Sequence, residues 1–195
     1  MKKKFLITMS VVVCALLLVV GSIAGTVAYM TSVKTKVTNT FTSGNVAITL
    51  DESVVDVYGN KTTGTTTSGN TYKLIPGHEY SKDPTVHVAE GSEDCWIFVQ
   101  IVDDLAAIQD ADTIATQLST IGWTLVSGQS NVYAYKETVS AGENVSVFTS
   151  FKLKGDADVA AYAGKNITVM AYAVQADGFI SAQAAWEAAP CTWGA

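Results

Sequence analysis

Three lysines, Lys2, Lys3 and Lys4, precede residues 5–30, which carry no charge and are mostly Leu, Val, Ile, Ala, Met and Phe. A positive n-region followed by an apolar h-region is the pattern of an export signal. The positive end stays on the cytoplasmic side, so the pattern predicts that everything downstream is carried out of the cell. The run is also long enough to span a bilayer if it is retained. Two small-x-small sites offer cleavage, Ser22-Ile23-Ala24 and Thr26-Val27-Ala28. The small-residue rule alone does not choose between them. Residues 1–28 are therefore read as an N-terminal signal helix ahead of the exported part.

Removing that segment takes away three of the twelve lysines and none of the eighteen acids, and the chain has no arginine. Nine lysines then face eighteen acids, a net charge of −9. Phosphate backbones and anionic lipid surfaces need clustered positive charge. The exported part is thus expected to bind no nucleic acid, and to meet a membrane only through the signal segment before cleavage. With 48% hydrophobic residues the chain is too apolar for disorder. Its 195 residues suit one ordinary domain.

Cys14 lies in the apolar run, so the exported part keeps Cys95 and Cys191. Two readings stand side by side. The two pair, closing a loop worth on the order of 4–5 kcal/mol in the chain-entropy view. Or Cys95 is a small buried hydrophobe in a strand and Cys191 a free thiol near the C-terminus.

Residues 29–43 alternate. Tyr29, Val33, Val37 and Phe41 fall on one parity, with Met30, Ser32, Lys34, Lys36, Thr38 and Thr40 on the other. Period 2 with β-branched residues predicts a half-buried strand. At Gly44 the parity shifts to Val46, Ile48 and Leu50, which predicts a bend or bulge at Ser43-Gly44 and makes 29–43 separable from the strand at 45–51.

A second strand is expected at 53–58, and the polar, Thr-rich 59–70 is expected to be a mobile loop. Pro76-Gly77 marks a turn, and a strand follows Asp83-Pro84 at 85–89. Residues 95–102 are apolar on both parities and predict a central strand covered on both faces. Leu105, Ile108, Ile114 and Leu118 predict one or two short helices within 103–120. A short strand is expected at 123–126, then a hairpin with arms 132–139 and 145–153, a strand at 167–174, and a terminal helix at 182–188 stopped by Pro190. About eight or nine strands with short inserted helices make the domain at 44–195 all-β. The class is an antiparallel β-sandwich, of which the jelly roll is one form.

Catalytic motifs are missing from the sequence. His78 and His87 are its two histidines, and no His-Glu-x-x-His pattern holds them. His78, His87, Glu79 and Glu90 are read as surface residues rather than metal ligands. There is no Gly-x-Ser-x-Gly and no Asp-x-Asp-x-Asp-Gly loop. The paired acids Asp103-Asp104 and Asp156/Asp158 are read as helix-start and turn residues. The chain is expected to be no enzyme and to need no cofactor.

Three segments together resemble the TasA/camelysin family, secreted proteins of Gram-positive bacteria with a SipW-type signal peptide. They are Gly25-Thr26-Val27-Ala28-Tyr29-Met30-Thr31-Ser32, Thr40-Phe41-Thr42-Ser43-Gly44-Asn45-Val46-Ala47-Ile48-Thr49-Leu50, and Leu74-Ile75-Pro76-Gly77-His78-Glu79-Tyr80-Ser81-Lys82-Asp83-Pro84-Thr85-Val86-His87-Val88. With the strand at 166–175 the likeness covers most of the chain. The resemblance implies cleavage between Ala28 and Tyr29 by a SipW-like signal peptidase, and a jelly-roll domain. It also implies a fibre homopolymer of a biofilm matrix, in which the N-terminal segment of one copy completes the sheet of the next. Tyr29, Val33, Val37 and Phe41 then form the donor strand. Two other roles stay open at this level: a monomeric cell-surface β-sandwich protein with an unknown partner, and a camelysin-like surface metalloprotease.

Overall fold

The structure, a computed structural model, describes Lys3, Lys4, Met9, residues 45–111 and residues 113–193. The chain divides into two units, Met1–Thr42 and Ser43–Ala195, and the second is the subject below. The signal segment (Lys3, Lys4 and Met9 apart), the Ala28–Tyr29 junction and the expected strand at 29–43 lie outside the described residues.

Strand β5, Cys95–Asp103, organises the fold. Its odd residues Ile97, Val99 and Ile101 enter the main core, while Phe98 enters a second apolar cluster on the other face. Apolar residues on both parities thus mark a strand covered on both sides. β5 pairs antiparallel with β10 (Ile167–Gln175) on one side and β7 (Val132–Tyr135) on the other, and β7 pairs in turn with β6 (Trp123–Leu125). A second four-stranded antiparallel sheet has the order β2-β1-β4-β8, from Lys61–Thr66, Ile48–Val55, Thr85–Val88 and Asn144–Ser146. A two-stranded ribbon joins β3 (Glu79–Ser81) to β9 (Ser150–Lys152). Val86, Val88 and Val145 from one large sheet and Ile97, Val99 and Ile101 from the other share one core. The chain is therefore mostly β, in antiparallel sheets layered on a common core.

Two helices serve the layers. Helix α1, Ile114–Ile121, starts at Thr113, whose hydroxyl accepts from Thr116 N, and ends at Gly122 in the left-handed region. It buries Ile114 and Leu118, one turn apart, on the main core. Helix α2, Ala182–Ala188, starts at Ser181 and lays Ala185 and Trp186 on the outer face of β5 and its neighbours. The Trp186 and Phe98 rings lie 5.2 Å apart.

Three expectations need correction. No separate strand runs over 53–58, because β1 continues to Val55 through a register shift between Ser53 and Val55. Part of the expected loop at 59–70 is β2: its threonines are β-branched and pair with β1, with Lys61 opposite Val55. Gly59 makes the turn between them. A Cβ there would lie 2.8 Å from the Tyr80 Cα, and its φ is +78°. The expected hairpin at 132–153 does not form either. β7 joins β5, β8 joins β4 and β9 joins β3, so the turn after Ser140 carries the chain from one sheet to another. Val145, Val147, Phe151 and Leu153 are nonetheless all buried, as their shared parity predicts.

Candidate functional site: a cleft along an open strand edge

β1 approaches β10 but does not pair with it. Between them lies a cleft of roughly 700 Å³. Leu50 to Glu52 form one wall and Ile167 to Val169 the other, with Leu105 and Phe151 among the buried lining. The loop at 66–72 and the segment 162–166 form its rims.

The backbone of β10 faces this cleft in a definite register. At one end of the β5–β10 ladder Asp104 N donates to Asn166 O at 3.0 Å, and at the other Ala176 N donates to Asp94 O at 2.7 Å. Bonded positions alternate in an antiparallel ladder. The even residues of β10 therefore turn their N–H and C=O groups to β5, and Ile167, Val169, Ala171 and Ala173 turn theirs outward. Among the described residues no strand takes up these outward groups. The same four side chains pack half-buried against the main core. Across the cleft, Ile48–Asp51 of β1 pair with β4 alone, since β2 begins its pairing at Glu52. Ile48 and Leu50 are likewise half-buried. Apolar side chains at half burial beside unpaired backbone are what a further strand would cover.

One end of the cleft is polar. Glu52 continues the inward parity of Ile48 and Leu50 and is only 6% exposed. Lys82 Nζ, also buried, donates to Glu52 Oε2 at 2.6 Å, and Asn70 Nδ2 donates to Oε1 at 2.8 Å. Asn70 also fills the β1 irregularity, accepting from Val55 N at 3.0 Å and donating to Ser53 O at 2.9 Å. Next to it Asp83 accepts from Ser53 and from Lys61. Burial pushes the Asp83 carboxyl up, but the hydrogen bonds from Lys61 and Ser53 outweigh it and hold it below the usual range. The Tyr72 hydroxyl is raised by burial and then by the charges of Glu52 and Asp83. Lone buried charges are costly, and here each has a partner. Sequence reasoning passed over Glu52, Asn70 and Lys82. The signal was present: an acid at a core-parity position of a strand demands a buried partner.

Of the residues singled out from sequence, Ala28, Tyr29, Val33, Val37 and Phe41 lie outside the described residues. Cys95 and Cys191 are free thiols here: Cys95 is in the main core and Cys191 beside the second cluster. Burial pushes the Cys95 thiol up to about 11, with the Asp94 charge adding to it. His78 Nε2 meets Tyr58 O at 2.8 Å. His87 lies between Asp51 Oδ1 at 2.8 Å and Asn144 Oδ1 at 2.7 Å, on three adjacent strands. Its pKa is raised, first by the hydrogen bond to Asp51 and against the effect of burial. Among the described residues no group of three or more His, Cys, Asp or Glu is placed to hold a metal ion. Asp103 accepts from Leu105 N, opening the 3₁₀ turn at Ala106–Ile108. No described helix is long and apolar enough to cross a membrane. No family model, curated protein or solved structure matches this chain.

Proposed function

We propose that the chain is an exported structural protein, a fibre-forming subunit of an extracellular matrix that polymerises by donor-strand exchange. Residues 29–43 of one copy enter the cleft between β1 and β10 of the next. The observation that carries this reading is the outward backbone of Ile167, Val169, Ala171 and Ala173 beside half-buried apolar side chains. The alternating segment has the matching chemistry. Its backbone pairs with the β10 edge, and Tyr29, Val33, Val37 and Phe41 point into the cleft. Each copy gives a strand at one place and takes one at another, so the contact does not close and propagates as a filament. The finer fold in this reading is a jelly roll of the TasA/camelysin kind. The same resemblance gives export by a SipW-type signal, cleavage between Ala28 and Tyr29, and a Gram-positive cell surface or matrix as the destination. No enzymatic step belongs to the reading.

The test is deletion of residues 29–38 from the exported chain. Fibres should vanish in electron microscopy, while circular dichroism shows a folded monomer. Val37→Lys should weaken assembly by burying an unpaired charge, and Lys36→Thr, on the opposite parity, should not. Fibres from the deleted chain refute the mechanism. A deleted chain that fails to fold assigns 29–43 to its own subunit and favours a monomeric surface protein.

A further inference from the structure

We propose that Lys82 and Asn70 are joined by an intramolecular isopeptide bond formed under catalysis by Glu52. The inference rests on the polar corner of the cleft and holds whether or not the chain forms fibres. A spontaneous amide bond between a lysine and an asparagine needs four things: an amine, a carboxamide, an acid–base group touching both, and a donor on the carboxamide oxygen. All four are present. Glu52 holds the Lys82 amine on Oε2 at 2.6 Å and the Asn70 amide nitrogen on Oε1 at 2.8 Å. The Val55 N–H donates to Asn70 Oδ1 at 3.0 Å, where charge develops during addition. Glu52 and Lys82 are 6% and 8% exposed, and Phe151, Tyr72 and Leu50 stand close by in the same lining. Reacting groups held on one carboxylate, apart from water, behave as an intramolecular pair.

The step balances without an oxidant or a further reactant. A proton passes from Lys82 Nζ to Glu52 Oε2, and the freed lone pair adds to Asn70 Cγ. The negative Oδ1 of the tetrahedral intermediate stays on the Val55 N–H. The Cγ–Nδ2 bond then breaks and the Nζ–Cγ bond remains. The amine gives up two protons in all, both relayed through Glu52 to the departing nitrogen, which leaves as ammonium. The product ties the 66–72 rim to the Lys82 segment between β3 and β4. That fixes the lip of the cleft beside β1 covalently.

The experiment is mass spectrometry of the purified folded chain, measured intact in denaturant and then after trypsin. The intact mass should fall short of the sequence mass by one ammonia. The peptide Thr62–Lys73 should appear joined through Asn70 to the one that carries Lys82, with no cleavage after Lys82. Glu52→Gln should restore the full mass. A folded wild-type chain at full mass overturns the proposal, even where Glu52→Gln does not fold. Ammonia loss with unlinked peptides also overturns it, since cyclisation of an asparagine onto its own backbone loses the same mass. Glu52→Gln that still carries the link removes Glu52 from the catalytic role.

Discussion

β5 and β10 lie side by side, are both nine residues long and are both apolar on the two parities. Their surroundings differ. β5 has a strand on each edge and apolar cover on each face, and Ile97, Phe98 and Val99 are fully buried. β10 has β5 on one edge, and most of its residues are half-buried. The other edges of the large sheets are blunted in ways that deter pairing. β6 and β8 have three residues each, and β2 is exposed, Thr-rich, interrupted by Gly64 and opened by Lys61. Short strands and exposed polar side chains are the ordinary means of closing an edge to strangers. β10 has neither protection, so the contrast marks it as the edge kept for a partner strand.

The largest effect tests the burial half of this contrast. Phe98→Ala empties a fully enclosed site against Trp186 and Tyr172 and should cost about 3–5 kcal/mol. Val169→Ala, on half-buried β10, should cost less than about 1.5 kcal/mol. Chemical denaturation of both variants measures the difference, and equal losses would break the comparison.

The next test separates the edges. Proline removes an N–H, harmlessly so where that N–H points out of the sheet. Val169 on β10 meets that condition. So does Leu125 on β6, because the bond from Val126 N to Val132 O sets the alternation there. Val169→Pro should raise the concentration needed for fibre growth more than about tenfold, ~1.4 kcal/mol per contact. Leu125→Pro should leave it unchanged, with folding of both followed by circular dichroism. Inhibition by both, or by neither, removes the distinction between the two edges.

The smallest effect concerns the other sheet, where His87 links β1, β4 and β8 through Asp51 and Asn144. Its pKa is raised from the ordinary 6.5, first by the hydrogen bond to Asp51. A group raised on folding stabilises fully below its unfolded value, and the contribution fades as pH climbs through the folded value. Wild type should therefore exceed His87→Gln in stability most at pH 5, with the gap closing above neutrality. The ring is partly exposed, so the gap should stay below about 1 kcal/mol. Thermal melts across pH check the sign; a gap that grows with pH contradicts it.

Much of the strand pattern was legible because side-chain parity is a local property. Cys95–Asp103 and Ile167–Gln175 announce themselves by apolar residues on both faces, and helix Ala182–Ala188 by its Ser181 cap and the proline beyond. The same parity put Val145, Val147, Phe151 and Leu153 in the core before any partner was known. Pairing is a different matter, since a strand's hydrogen bonds run to residues far away in the chain. Nothing local says that β7 and β8 belong to different sheets, or that exposed threonines at Lys61–Thr66 pair with β1. The cleft and its polar corner belong to that second kind. Glu52 at a core-parity position states that a charge needs company, but Lys82 and Asn70 become its partners only when three distant segments close around one carboxylate.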